Sequence, residues 1–286
     1  MPLPLLVVDT PSLLYRAFYA LPDSIADSKG RSVNALLGST NLILQEIERR
    51  PPRAVVMCFG AEAAAYRKEL LPAYHADRPD MPEKLVPQWQ EAGLFFEAFG
   101  WVVEQHETLE ADDLLGTFAR IEADAGGTAL LLTGDRDMFQ CASDAVTVLY
   151  VSTGGKRGAQ EVDPAEVRKR YGIDPDLVPD FIALRGDPSD GIPGAKGVGE
   201  KTAAELLREH GSLEQVVDAA VRERRPALRK TLVSMADDLR SFKDVATLRD
   251  AGVERPPDAE LDAAGAAEAA RELGMNRLAE RLEKLE

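Results

Sequence analysis

The 286-residue chain contains only two cysteines, Cys58 and Cys141, and three histidines. Two thiols, each in or beside an apolar stretch, cannot build a disulfide framework or a zinc ribbon, so buried reduced thiols are expected. His75, His106 and His210 lack nucleophile partners, which excludes Ser-His-Asp and Cys-His arrangements, and His106 and His210 read as ordinary surface or packing residues. Zinc-binding and nucleotide-binding loop signatures are missing too. No apolar run is long enough to cross a bilayer, and no basic region precedes the first Leu/Val stretch. The expectation is a soluble cytoplasmic protein with no membrane partner. Basic residues are outnumbered 34 to 49, a formal charge of −15, which at face value argues against a nucleic-acid partner.

The 45% hydrophobic content is enough for a sizeable core, in one large domain or two smaller ones. Short apolar, often β-branched runs at Leu5–Asp9, Ala54–Phe59, Trp101–Glu104, Ala129–Thr133 and Val146–Val151 predict strands. Helical periodicity covers Val33–Arg50, Leu85–Phe99 and Glu110–Ala125, the last with a stripe of Leu114, Leu115, Phe118 and Ile121. This alternation predicts an α/β fold, a mostly parallel central sheet with helices on both faces, over residues 1–174. Within it, the segment 65–89 mixes cations, aromatics and prolines, and is expected to be a mobile stretch arching beside the site. From 175 to 250 the pattern is helical, with helices expected at Asp176–Leu184, Glu200–His210, Ser212–Glu223 and Leu228–Leu248. Residues 251–286 read as a Pro- and acid-rich linker, then a C-terminal helical segment that packs or lies on the surface.

Eight carboxylates fall in four clusters where strands end or helices begin: Asp9; Glu110, Asp112 and Asp113; Asp135 and Asp137; Asp187 and Asp190. Open α/β sheets place their sites beyond the carboxyl ends of the strands, and three of these clusters fall there. An acidic first turn alone is commonly a cap or a dipole partner. Four such clusters together point instead to hard divalent cations, because crowded carboxylates repel and lose hydration unless neutralised. Asp135 and Asp137, two apart at a strand end, point to one side of an extended chain and can share cations. Two ions roughly 3.5–4 Å apart can activate water and clamp a phosphodiester. Neutralising the eight acids leaves a charge of about −7, and Arg222 to Lys230 holds five cations and one acid, so distribution outweighs net charge.

Residues 194–203, Gly-Ala-Lys-Gly-Val-Gly-Glu-Lys-Thr-Ala, read as a glycine-rich hairpin entering a helix. Gly194, Gly197 and Gly199 let the backbone turn tightly and bring N–H groups, with that of Thr202, to a phosphate. Lys196 and Lys201 add charge without reading bases, which suits a DNA backbone.

These motifs, Glu-Ala-Asp-Asp, Thr-Gly-Asp-Arg-Asp, and Gly186-Asp-Pro-Ser-Asp-Gly-Ile-Pro-Gly followed by Gly-Val-Gly-Glu-Lys-Thr-Ala, resemble the 5′-nuclease family from Leu5 to about Leu248. That family comprises the 5′→3′ exonuclease domain of bacterial DNA polymerase I and the flap endonucleases. With no polymerase sequence following, the chain resembles a stand-alone member. The resemblance implies a PIN-like nuclease core followed by a helix-hairpin-helix-type DNA-binding motif that often holds a potassium ion. It implies two Mg²⁺ or Mn²⁺ ions, one served by Asp9, Glu110, Asp112 and Asp113, the other by Asp135, Asp137, Asp187 and Asp190. It places Arg16, Arg67 and Arg78 near the scissile phosphate, with His75 a pH-sensitive contributor, and makes 65–89 an arch over the 5′ strand. Implied partners are nicked, flapped or duplex DNA with a 5′ end, and a separate polymerase or ligase, in a nucleoid-associated setting.

The chain departs from the family twice. Phe59-Gly60-Ala61 replaces the usual Phe-Asp-Ala, and His75 replaces a lysine. Water or Glu62 is expected to complete a weakened first metal site, although Glu62 lies roughly 6.6 Å along an extended strand from Gly60. On that reasoning Gly60→Asp should raise activity at limiting Mg²⁺. The expected reaction is metal-dependent hydrolysis near the 5′ end of DNA, leaving a 5′-phosphate. Its rivals are a catalytically weakened or inactive structure-specific DNA-binding paralogue, which Gly60 and His75 favour, and a related ribonuclease.

Overall fold

The computed structural model describes residues 2–152 and 158–285; Met1, residues 153–157 and Glu286, the end of the expected C-terminal helical segment, lie outside the described residues. The first half alternates strands and helices. In chain order it runs β1 (Leu5–Asp9), α1 (Thr10–Ala20), α2 (Asn34–Arg49), β2 (Ala54–Phe59), α3 (Ala65–Leu70), α4 (Val86–Glu97), β3 (Val102–Gln105), α5 (Ala111–Asp124), β4 (Ala129–Thr133), β5 (Val146–Tyr150) and β6 (Gln160–Val162). The strands form one sheet in the order β3-β2-β1-β4-β5-β6, parallel except for β6, which pairs antiparallel to β5. β1 sits between β2 and β4, with Leu5 beside Ala54 on one side and Ala129 on the other. It is buried along its whole length, which is why its sequence is a continuous apolar run.

Alternate side chains divide the core between the two faces of the sheet. Leu5, Val7, Val56 and Leu131 point to the face covered by Leu114, Leu115 and Phe118 of α5. Leu6, Val8, Met57 and Leu132 point to the other, where Leu13, Leu36, Ile43 and Phe96 from α1, α2 and α4 cover them. Cys58 and Cys141 are free thiols; burial raises both, the Cys141 thiol to about 12.

After the sheet the described chain is helical: α6 (Pro164–Tyr171), α7 (Val178–Arg185), α8 (Glu200–His210), α9 (Leu213–Ala219), α10 (Pro226–Ser234), α11 (Ala236–Ala246), α12 (Ala263–Glu272) and α13 (Asn276–Leu282). The single helix expected over Leu228–Leu248 is two, broken where Met235 ends α10 and precedes α11. α1 and α6 were not anticipated; each starts from an Asp cap followed by proline in the first turn, a pairing easily taken for a loop.

Segment 65–89 is irregular over residues 71–85, between two helices. α3 packs on α11, Tyr66, Arg67, Leu71 and Tyr74 are buried, and α4 begins at Val86. The extended segment 251–262 runs back along the sheet domain. Ala259 N–H donates to Arg53 O, Asp262 N–H donates to Phe99 O, and buried Glu122 takes both Arg53 and Arg255. α12 and α13 then join the core of Phe96, Phe99 and Trp101 through Ala266, Ala270, Leu278 and Leu282. Among the described residues no helix is long and apolar enough to cross a membrane.

Candidate active site

Asp9 closes β1 and caps α1. Its Oδ1 accepts from Ser12 N–H at 3.1 Å and its Oδ2 from Thr133 Oγ1 at 2.6 Å. Thr133 ends β4, and its hydroxyl oxygen also accepts from Asp135 N–H at 2.9 Å. One hydroxyl therefore ties the acidic ends of neighbouring strands together. Asp135 Oδ1 accepts from Asp137 N–H at 2.8 Å, which curls the chain into a 3-10 turn at Asp137–Cys141. Asp112, in the first turn of α5, faces Asp9 and Asp135. Asp187 and Asp190 come from the loop after α7, whose neck is an antiparallel bridge between Asp187 and Ile192.

Electrostatics show how closely six of the eight acids gather. Burial, then Asp9, Asp135 and Glu110, pushes Asp112 well above the usual carboxylate range. Burial, then Asp190, pushes Asp135 up to about 6, with Asp9 and Asp187 adding to it. Burial, then Asp135, Asp190 and Asp187, raises Asp137 strongly. Burial raises Asp9, against hydrogen bonds from Thr133 and Ser12 and the nearby Arg16. Asp112, Asp135 and Asp137 retain some exposure while sitting deep among protein atoms, so they line a recess. Neither the Asp112 nor the Asp137 carboxylate accepts a hydrogen bond from a described residue.

The other two acids belong to a different network. Asp113 is fully buried; its Oδ1 accepts from Arg249 N–H at 2.8 Å and lies 3.2 Å from Arg67 Nη2, and its Oδ2 accepts from Glu110 N–H. Glu110 takes Ala64 N–H at 2.7 Å, the Tyr74 hydroxyl at 3.1 Å and Arg67 Nη1 at 2.9 Å. Their oxygens are occupied in this structure by Ala64, Tyr74, Arg67, Arg249 and the Glu110 backbone, unlike those of Asp112 and Asp137. Arg67 is likewise held by protein groups. It is 3% exposed, donates Nε–H to Val245 O at 3.0 Å and bridges both acids. Burial opposes its charge, but Glu110 and Asp113 outweigh this and raise its pKa.

Arg16 stays with the acids, donating from Nη2 to Gly134 O at 2.6 Å. Arg78 Nη2 lies 3.8 Å from Asp190 Oδ1, and His75 Nε2 is 3.2 Å from the same oxygen. His75 adopts a left-handed backbone with φ 55°, held by its N–H to Asp190 O and by stacking on Tyr74. Sequence reasoning missed Arg185, whose Nη2 reaches Asp187 Oδ2 at 2.9 Å, and Thr133 at the heart of the cluster. Thr133 opens the Thr-Gly-Asp-Arg-Asp motif and Arg185 immediately precedes the motif that starts at Gly186, which is the signal that could have found them.

Gly60 is where close packing overrides the expectation. A Cβ there would overlap the Ala111 nitrogen and the Glu110 carbonyl carbon and lie 2.7 Å from Glu110 Cα, all backbone of the α5 entry. β2 ends at Phe59, and Ala61 N–H donates to Leu109 O at 2.8 Å, so Glu62 does not continue the strand. The side chain of Glu62 is exposed near Tyr15.

Among the described residues no three His, Cys, Asp or Glu side chains are arranged to hold one ion directly. The two sets of four acids expected to serve the ions are therefore not drawn together for direct ligation in this structure. The donor set of six crowded carboxylates, four of them with raised proton affinity, still fits a cation. It suits one that keeps several waters and takes one or two carboxylates, as Mg²⁺ does, better than one that needs an all-protein cage.

The glycine turn lies between α7 and α8. Gly194 has φ 67° and packs on the Gly186 backbone, where a Cβ would come within 2.7 Å of Gly186 Cα. Gly197 and Gly199 have open space around them. Gly199 caps α8 with no side chain over its first N–H groups, Lys196 and Lys201 are exposed, and Thr202 is half-buried. This leaves an accessible helix N-terminus between two cations.

A resolvase-like, PIN-type α/β sheet with acids gathered at its carboxyl edge, leading through a glycine turn into a helical region, defines a class of phosphodiester-processing folds. The chain belongs to the 5′-3′ exonuclease family: residues 4–172 match its N-terminal resolvase-like domain and residues 173–268 its C-terminal SAM fold. It is 37% identical over 237 residues to a 5′-3′ exonuclease of Mycobacterium tuberculosis, covering 76% of this chain and 74% of that one. It is 38% identical over 261 residues to DNA polymerase I of Mycobacterium bovis, covering 89% of this chain but only 28% of that protein's length. Among solved structures, the zinc-bound T5 5′-exonuclease superposes with a TM-score of 0.72 at 16% identity over 98% of each chain. The catalytic core of Rad2 with DNA substrate gives 0.62 at 14% identity, covering 98% of this chain and 91% of that one.

Proposed function

We propose that this chain hydrolyses DNA phosphodiesters near a 5′ end, at a nick, a flap or a duplex terminus, with divalent metal ions. The observation that carries this reading is the recess of Asp9, Asp112, Asp135, Asp137, Asp187 and Asp190, six acids so close that burial and their neighbours raise the proton affinity of Asp112, Asp135 and Asp137. A pure scaffold has little reason to keep such a group. The six would hold hydrated Mg²⁺ or Mn²⁺, which when bound supplies an activated water and neutralises charge on the phosphate and the leaving oxygen.

The chain's own residues do the rest. Thr133 holds Asp9 and Asp135 in fixed orientations, so the recess needs little rearrangement. Arg16 at the Asp9 end and Arg78 and His75 at the Asp190 end flank it with donors for phosphate oxygens. Arg67 instead sets the position of the α5 entry from which Asp112 projects. The turn at Gly197–Lys201 would grip the duplex backbone and thereby choose which phosphate reaches the acids. Potassium at this turn, and work alongside a DNA polymerase or ligase, belong to the same proposal.

A 5′-labelled flap and a nicked duplex, incubated with Mg²⁺, with Mn²⁺ and with EDTA, test it. Metal-dependent release of short 5′ products is expected, and Asp112→Asn with Asp135→Asn should abolish it. Binding that persists in EDTA with no cleavage in Mn²⁺ would select the DNA-binding paralogue that Gly60 and His75 favour. Cleavage of an RNA flap in preference to DNA would select the ribonuclease.

A further inference from the structure

The outermost strand, β3, borders a groove that neither the acidic recess nor the glycine turn uses. β3 ends the strand order, so only β2 pairs with it. His106 N–H donates to Phe59 O at 3.1 Å. That register turns the N–H groups of Val102, Glu104 and His106 toward β2, and the N–H and C=O of Val103 and Gln105 outward. Among the described residues those outward groups have no hydrogen-bond partner. Beside the strand, on its α5 face, lies a groove of about 500 Å³. Val102 and buried Phe118 give it apolar lining, Glu104 and His106 border it from β3, and Glu254 and Arg255 border it from the extended segment. That segment is fixed: Arg255 Nε lies 2.8 Å from Glu122 Oε2, and Arg53 Nη1 donates to Pro256 O at 2.9 Å. Glu104 is half-buried and Glu254 exposed, and neither makes an ion pair with a described residue. His106 Nδ1 accepts from the N–H of Thr108 and of Leu109, at 3.2 and 3.0 Å, so the ring proton sits on Nε2. That N–H bonds no described residue and can meet a carbonyl in the groove.

We infer that this groove docks an extended segment of a partner protein, which adds to the β3 edge as a further strand. The segment would set an apolar side chain against Val102 and Phe118, and a Lys or Arg against Glu104 and Glu254. An extended chain fits because the open backbone of Val103 and Gln105 repeats at the strand period. A cation fits because both acids are unpaired, while the groove's own Arg255 is taken by Glu122. The same two acids disfavour a nucleic acid. A charged residue on a short edge strand is also a common guard against aggregation, but a guard needs no apolar groove beside it. A second copy of this chain is the competing occupant. It would bring another Glu104 and another exposed Glu107 to the edge, and like charges across a strand pair destabilise it. No residue of the acidic recess lines the groove, so the inference stands apart from the proposed cleavage.

The probe is a capped peptide, Thr-Val-Thr-Arg-Thr, which carries Val and Arg on one face of a strand. It is titrated into the full chain, and amide hydrogen exchange at Val103 and Gln105 is followed alongside. Saturable binding with a Kd below about 1 mM is expected, with exchange slowed at both amides. A peptide with Glu in place of Arg should bind about tenfold more weakly or worse, and so should the parent peptide to Glu104→Gln with Glu254→Gln. That variant should keep the Tm of the unsubstituted chain. Methylating alternate peptide nitrogens should weaken binding in one phase, where the N–H groups meet β3, and not in the other. No binding at about 1 mM, indifference to the change of Arg to Glu, or unchanged exchange at Val103 and Gln105 would each overturn the inference. A dimer of the unsubstituted chain that protects the same two amides would overturn it in favour of a second copy.

Discussion

Gly60→Asp supplies the carboxylate that the family's usual Phe-Asp-Ala carries, and in this structure it should harm the protein. The new Cβ would lie 2.7 Å from Glu110 Cα and closer still to two neighbouring backbone atoms, where ordinary contact begins at about 3.4 Å. Relief requires the end of β2 or the start of α5 to move by most of an ångström. Neither is loose: Ala61 donates to Leu109 O, Ala64 donates to Glu110, and Glu110 and Asp113 form a capping box. Overpacking of this kind costs about 1–3 kcal/mol, and a chain of this size loses roughly 2–4 °C of Tm per kcal/mol. Gly60→Ala carries the same Cβ without the charge and should fall by a similar roughly 3–10 °C in EDTA. Gly60→Asp should fall further, because it adds a seventh acid to a recess already short of cations, and Mg²⁺ should recover only that extra part. Scanning calorimetry of both variants with and without Mg²⁺, beside flap cleavage across a metal titration, provides the test. A Gly60→Asp protein that keeps its Tm and cleaves faster at limiting Mg²⁺ would refute the steric argument.

Removing Arg67 leaves Glu110 and Asp113 buried beside each other without their cation, so Arg67→Met should cost about 3–5 kcal/mol in urea unfolding. A variant of unchanged stability but reduced cleavage would instead put Arg67 at the substrate. In the metal-free protein Asp135 binds its proton more tightly when folded, at about 6 against an ordinary 3.8. That contribution to stability is complete below about pH 4 and is lost as pH rises through about 6, and the upward shifts of Asp112 and Asp137 act in the same direction. Tm in EDTA should therefore fall from pH 4 to pH 7; Mg²⁺ should remove most of the fall, and Asp135→Asn should flatten it. Glu122→Gln withdraws the carboxylate shared by Arg53 and Arg255, so limited proteolysis should cut within 251–262 well before the unsubstituted chain is touched.

What could be read from the sequence follows from which signals are local. β1, β2 and β4 are buried on both faces and therefore spell themselves as apolar runs, and the acids at their ends inherit their place from the strands. β6 is three residues, Gln-Glu-Val, paired through its backbone to β5, and offers no such run. Arg67 was placed near the phosphate by resemblance to the family, and the structure adds contacts that resemblance did not supply. Its actual partners include Val245 O, 178 positions away, and no spacing rule connects them. Gly60 is similar: a missing side chain says nothing about the backbone that has moved into its place. Glu110 and Asp113 were grouped with Asp112 by adjacency, yet successive residues at a helix start point in different directions, and only Asp112 faces the strand-end acids.

The family's second segment ends at residue 268, in the middle of α12, but the physical unit does not. Met275, Leu278 and Leu282 lie beyond that boundary and are almost wholly shielded by the sheet domain. At about 1.5–3 kcal/mol for each such side chain, trimming the protein to its recognised boundary would forfeit much of the margin on which a domain stands. The surface bared by that cut would include the aromatic cluster around Phe99, so a shortened version should come out of solution sooner than it loses its chemistry.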